Sequence, residues 1–364
     1  YNPIVSAATS KFIEKRITQM TKFNRTFALV LSLCSLSAVA HADNSWNAAN
    51  DPSQMDGRFN YNFNALPTEA TLATKPWSET YWATKKGSIN IRWNAPGQPG
   101  FNYDLNSREQ VMSMSREQLA ELSPTEKLDI LNGNYDYPLN HEVAGVANPR
   151  ATWWKGLCDG WTMSAIQFKE PQAIDAVNRD GVVVPFGASD IKGLLSYYAQ
   201  FRSGVGQVYV GGQCRGLGGI FGGSACSDIN PGALHVIMAN QLGLRNTAFA
   251  VDRDPGVQIW NQAAFGYKTT VMGSAQSDAA QGVLVHTTLY YTDELNNSQW
   301  TAANGTSAFA FDKIEMDYTL DLDSNGNIVG GKYVNGSDHP DLVWKSGGQI
   351  ILQGDFAKVN SLLQ

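Results

Sequence analysis

Three segments in the C-terminal half of the chain, Val283–Tyr291, Ile314–Leu322 and Asn327–Val334, alternate apolar and polar residues with a period of two. Successive side chains of a strand point to opposite faces, so each segment reads as a half-buried strand of an antiparallel sheet. Thr247–Asp252, Gln258–Gln262 and Gly266–Val271 add strands before them. Upstream of Thr247 the period becomes helical. Ser113–Leu131 carries two starts, Ser115-Arg116-Glu117-Gln118 and Ser123-Pro124-Thr125-Glu126; the second has capping-box form with proline at the first helical position. Ser189–Tyr198 and Asp228–Gly243 read as further helices, with Asp228 as a cap, and Gly181–Phe186 and Val208–Val210 as short strands between them. Helices clustered before a mostly antiparallel sheet make an α+β fold with one main domain.

Of 364 residues 43% are hydrophobic and 16% charged, enough apolar surface for a large core. The net charge is −6, and no Lys or Arg run follows the N-terminal region, which argues against a nucleic-acid partner. Met20–Ala42 reads as a secretory signal: Lys22 and Arg25, the apolar run Phe27–Ala40, then Ala40-His41-Ala42 with small residues where a peptidase cuts. Residues 1–19 read as an upstream extension. The apolar run is shorter than the roughly 20 residues a spanning helix needs, so no membrane anchor is expected in the mature form. The expected location is secreted or periplasmic. Residues 43–112 read as an N-terminal arm, rich in Asn, Pro and Trp, wrapping the main domain at 113–364. Within the arm, Ser88–Trp93 alternates and reads as a short strand.

Four cysteines are present, and Cys34 falls in the signal. Three cysteines in an oxidising compartment leave one pair and one free thiol. Cys214 and Cys226, either side of a short glycine-rich loop, are the expected disulfide. Cys158 is then free. It follows Trp153, Trp154 and Gly156 and opens an apolar helical segment. The unpaired amides and positive dipole end of a helix N-terminus favour thiolate, the form that attacks carbonyl carbon. Nucleophilic cysteine chemistry also needs a base and a group that orients it. His235, after the glycine-rich loop and before a strand ending in Asp252, is the expected base, with His286 as runner-up; Asp252 is the expected orienting acid, ahead of Asp254 in its turn. The indole N–H of Trp154 or Trp153 is a candidate oxyanion donor beside the Cys158 amide, and Trp260 a candidate substrate wall. Asp321–Ile328 resembles the first half of a calcium loop, but Lys332 stands where the closing Glu belongs, so a metal-free hairpin turning at Asn325-Gly326 is expected.

Gly156-Leu157-Cys158-Asp159-Gly160-Trp161-Thr162, Ala225-Cys226-Ser227-Asp228-Ile229-Asn230-Pro231-Gly232-Ala233-Leu234-His235 and the peptide Trp260-Asn261-Gln262 with Gly266-Tyr267-Lys268 resemble motifs of the transglutaminase elicitors of oomycetes and their bacterial relatives. The order Cys158, His235, Asp252 also matches papain-like and transglutaminase-like enzymes. The resemblance implies a papain-like/transglutaminase-like cysteine-enzyme core and a protein-glutamine γ-glutamyltransferase. Cys158 would form a thioester with a protein glutamine, and a lysine or other primary amine would resolve it, with His235 as base then acid and Asp252 holding it. It implies calcium-stimulated activity, although no cofactor is demanded by the residues themselves. Ala263 departs from the elicitor pattern, which has proline there as part of a surface peptide. Two alternatives stay open: a cysteine peptidase or glutamine amidase using the same triad with water as acceptor, and a non-catalytic secreted binding protein.

Overall fold

The computed structural model describes residues 45–101, 103–212, 228–253 and 258–363. The signal segment, the extension before it, Cys214, Cys226 and Asp254 lie outside the described residues. In chain order, β1 (Glu69–Thr71) precedes α1 (Arg108–Ser113), α2 (Arg116–Ala120), α3 (Pro124–Asn132), α4 (Pro138–Val146) and α5 (Cys158–Gln167). A two-stranded ribbon, β2 (Ile174–Val177) with β3 (Val183–Phe186), leads into α6 (Ala188–Phe201). Then come β4 (Gln207–Gly211), α7 (Pro231–Met238), β5 (Phe249–Asp252), β6 (Asn261–Ala275), β7 (Gln281–Thr292), β8 (Phe311–Leu322), β9 (Ile328–Tyr333) and β10 (Leu342–Ser346). The main sheet runs β4-β10-β5-β6-β7-β8-β9 with β1 beside β6, every pairing antiparallel. The mixed α+β class expected from the sequence is the class observed.

Local signals account for many boundaries. The Ser123 hydroxyl accepts from the Glu126 amide at 3.3 Å while the Glu126 carboxylate accepts from the Ser123 amide at 3.0 Å, and Pro124 opens α3 between them. Gly326 takes φ +78° in the turn joining β8 to β9, as the Asn-Gly pair requires. Three expectations are corrected. Ser88–Trp93 is no strand; Ser88–Asn90 is a 3₁₀ turn because Gly87 (φ +101°) and Ser88 (φ +53°) are both left-handed, which breaks an extended run. Of the expected strand Gln258–Gln262 only Asn261 and Gln262 are extended, and they belong with Gly266–Val271 to one long strand, β6, with a register shift between Ala264 and Gly266. Asn230, and not Asp228, caps α7 by accepting from Gly232 at 2.9 Å. The helix expected over Ser189–Tyr198 is α6, Ala188–Phe201, with Gly187 at its cap position.

Alternation in the central strands feeds two cores. On β5 and β10, Ala250 and Trp344 join the core built by α3, α5 and α6, while Phe249, Val251 and Val343 join the core under α7. The N-terminal segment serves both: Met55, Phe59, Leu66 and Leu72 enter the α7 core, Trp77, Trp82 and Ile89 the other. Buried charges tie the helical side together. Lys127 donates to Asp190 at 2.6 Å with both side chains fully buried, and Lys192 meets Glu170 at 2.5 Å.

Candidate active site

Cys158 is the first residue of α5 and is held against the entry of β6. Its helix starts here because the turn before it is pinned: the Leu157 amide donates to Tyr81 O at 2.7 Å, and Trp161 N closes back on Leu157 O at 2.8 Å. Leu157 offers no side-chain cap and Gly160 N is donated to Gln200 at 3.2 Å, which leaves the Asp159 amide of the first turn at the sulfur. Sγ lies 3.8 Å from Ile259 O and 3.6 Å from Asp159 Oδ1. The backbone amides of Asn261 and Asp159 point at the same sulfur and favour thiolate, but burial, reinforced by the Asp159 charge, pushes the thiol well above its ordinary pKa.

The sheet presents a matching set of side chains. Register pairs Asp252 with Asn261 and Ala250 with Ala263, so these four share one face with Trp344, the face that α5 covers. Asn261 donates Nδ2 to Asp159 Oδ1 at 2.5 Å and accepts the Trp344 indole N–H on Oδ1 at 2.8 Å. Thr162, one turn along α5, donates to Asn261 O at 2.8 Å. Asp252 Oδ1 accepts the Trp260 amide at 2.9 Å, which fixes the strand entry. Aromatic rings wall the approach: Trp153, 53% exposed, meets Trp260 at 5.5 Å and Tyr81 meets Trp260 at 6.0 Å.

The structure brings Cys158, Asp252 and Trp260 to one region and leaves His235 out. His235 sits on α7 against the opposite face, its Nδ1 joined at 2.9 Å to the Tyr318 hydroxyl, which continues to Thr287 at 2.8 Å and from there to Thr269 at 2.8 Å. The expected arrangement of His235 between Cys158 and Asp252 is thus not assembled, because α7 and α5 cover different faces of the sheet. The runner-up His286 pairs with Asp317 at 2.8 Å on an exposed part of β7. His339 bonds Asp228 at 3.1 Å, and His141 lies exposed on α4. Trp260 is present, but its indole N–H is donated to Gln258 at 2.9 Å, and the ring it meets belongs to Trp153, with Trp154 half-buried beside it in sequence. The Trp260-Asn261-Gln262 peptide, expected at the surface, is buried at 7%, 5% and 0% exposure. Asn261 is a site residue beyond those expected from the sequence; its signal is an Asn-Gln pair that opens a strand and is buried on both faces.

Burial holds His235 neutral, lowering its pKa to about 4. The unfolded histidine protonates near its ordinary 6.5. The stability it contributes is therefore complete above about pH 6.5 and is lost as pH falls toward 4, about 3 kcal/mol across that window. Urea unfolding of the protein and of its His235→Gln variant should diverge in pH dependence over that range, the variant lacking this part of the acid slope. Parallel curves would show that His235 is not held neutral.

The family model described as Transglutaminase elicitor matches residues 139–351, more than half of the chain. The chain belongs to the transglutaminase elicitor family. The matched span runs from α4 to just beyond β10 and so contains Cys158, Asp159, Asp252, Asn261 and Trp344. No curated protein matches. Among solved structures, the crystal structure of the GP42 transglutaminase from Phytophthora sojae is similar with a TM-score of 0.65 at 21% identity, covering 88% of this chain and 98% of that one. This member of the family therefore shares the GP42 fold across nearly the whole of GP42.

Proposed function

We propose that the chain is an exported protein-glutamine γ-glutamyltransferase with Cys158 as nucleophile. The observation that carries the reading is the placement of Cys158: first residue of a helix, two backbone amides at its sulfur, and an approach lined by Tyr81, Trp153 and Trp260. The Sγ thiolate attacks the side-chain carbonyl carbon of a protein glutamine, ammonia leaves, and a lysine Nζ displaces sulfur from the thioester to leave an isopeptide bond. The aromatic walls favour an amine over water as acceptor, because the thioester forms beneath apolar rings. Family membership and the likeness to a transglutaminase support the same reading.

Calcium belongs to the proposal only as a condition of assay. Among the described residues no group of three or more His, Cys, Asp or Glu is gathered as a metal site requires. In the Asp321–Ile328 turn, Asp323 already accepts from Asn325 N and Asn327 N at 2.8 Å each and from Asn327 Nδ2 at 3.0 Å, while Asp321 accepts from Ser277. Asp323 is occupied by its own turn and Asp321 Oδ1 by Ser277 of the neighbouring hairpin, and with no third acid gathered beside them among the described residues this turn does not fit the ion.

A second reading, a non-catalytic binding protein, is favoured by the burial of Cys158 and its raised thiol pKa. Incorporation of a fluorescent primary amine into casein, with and without calcium, separates them. The transferase reading expects incorporation that disappears in Cys158→Ala; deamidation or cleavage dependent on Cys158, without incorporation, would replace it by the hydrolase reading. No product of any kind, with Cys158 inert to alkylation, would leave the binding protein.

A further inference from the structure

We propose that Asp159 is the group that takes and returns the proton of Cys158, held in place by Asn261 and Trp344. This rests on the reading of Cys158 as the transferase nucleophile. The thiol has two acceptors within reach, the backbone carbonyl of Ile259 and Asp159 Oδ1. Only the second is a base. Each of the four described histidines is placed elsewhere, on the other sheet face or at the surface, so the imidazole of a conventional triad has no counterpart among the described residues.

The carboxylate is held by a directional chain. An indole N–H can only donate, so the Trp344 bond at 2.8 Å fixes which end of the Asn261 amide is oxygen. The amide nitrogen is then the end that faces Asp159 at 2.5 Å, and Oδ1 of Asp159 must accept from it. Trp344 is fully buried and Asn261 is 5% exposed, so these two links of the chain are packed inside the protein. Indole, amide, carboxylate and thiol thus stand in line. Burial raises the Asp159 pKa against the hydrogen bonds it accepts from Asn261 and Cys158, which makes it a stronger base than a free aspartate.

The proton count closes. The Asp159 carboxylate takes the proton as Sγ bonds to the carboxamide carbon; the resulting acid gives it to the nitrogen, and the C–N bond breaks to release ammonia. In the second half the attacking lysine amine gives its proton to Asp159, the C–S bond breaks, and Asp159 returns the proton to the thiolate. Ammonia is exchanged for amine, and the enzyme is recovered.

The test compares wild type with Asp159→Asn, similar in shape and checked for an unchanged unfolding midpoint, by two readouts. Amine incorporation should fall about 100-fold or more, the usual worth of a general acid–base group. Alkylation of Cys158 by iodoacetamide, followed by mass spectrometry of its own peptide across pH, should move the opposite way. Without the neighbouring negative charge the thiol ionises at lower pH, so alkylation near neutrality becomes faster as transfer is lost. A merely structural role would slow both. Incorporation within threefold of wild type, or identical alkylation pH profiles, would overturn the assignment. Loss of incorporation in Cys158→Ala with full activity in Asp159→Asn would sink Asp159 and leave the transferase intact. If the wild type incorporates no amine, the transferase reading falls, and the alkylation profiles still decide whether Asp159 and the thiol are coupled.

Discussion

Replacing Lys127 by methionine is expected to remove about 3–5 kcal/mol of folding free energy, read as the shift in urea unfolding. Lys127 and Asp190 are a fully buried pair at 2.6 Å, and the ammonium also lies 5.0 Å from the Trp300 ring and 5.5 Å from that of Trp93. Desolvation works against both charges, lowering the Lys127 pKa and raising that of Asp190. The pair persists because Asp190 also accepts the Trp93 indole at 2.8 Å and the Gly187 amide at 2.7 Å. Methionine would fill the volume of the lysine stem and leave those two donors facing a carboxylate without its cation. Lys127→Met with Asp190→Asn should recover part of the loss, since the amide oxygen still accepts and the buried charge is gone. A single variant as stable as wild type would mean that water reaches the pair.

Gly160→Ala is expected to be the most damaging one-methyl change near the thiol. A Cβ there would stand 1.9 Å from Ser196 O and 2.9 Å from Gln200 Cβ on α6. Backbone oxygen cannot turn aside as a flexible side chain does, so α5 and α6 must separate. Overpacking of this kind costs typically about 1–3 kcal/mol, and a backbone clash belongs at the upper end. The first turn of α5 would move with it, breaking the bond from Gly160 N to Gln200 at 3.2 Å and displacing Cys158 and Asp159 from Asn261. The expected result is a lower unfolding midpoint together with loss of amine incorporation in the protein that still folds. Unchanged stability and activity would show that the two helices have slack.

What the sequence made legible was local. Ser123-Pro124-Thr125-Glu126 forms the box its letters spell, because the two hydrogen bonds close within four residues. Asn325-Gly326 turns between two strands for the same reason, and Cys158 opens its helix as its flanking residues imply. Position on one face or another of a sheet is different. His235 precedes the strand that ends in Asp252, yet α7 is laid over the face opposite α5, and no short-range pattern records that choice. Asn261 was visible only as part of a peptide taken for surface; its partners Asp159 and Trp344 lie 102 and 83 residues away in sequence. Ser88–Trp93 failed for a smaller reason. Its alternation of isoleucines is real, but two left-handed residues at its start decide the backbone.

The separation of Cys158 from Ile259 and Asn261 has a consequence in time. Helix α5 can form from neighbouring residues, whereas the strand entry that buries the sulfur is about a hundred residues downstream, and closing so large a loop adds a further entropic cost. Synthesis delivers the N-terminal side first. A nascent chain ending before Trp260 therefore carries an ordinary solvated thiol, open to any oxidant or electrophile it meets. Only when β6 docks does the sulfur acquire the Asn261 amide, the side chain that holds Asp159 in place, and its cover. The reactivity of the finished site is a property of the last half of the sheet, conferred on a cysteine made long before it.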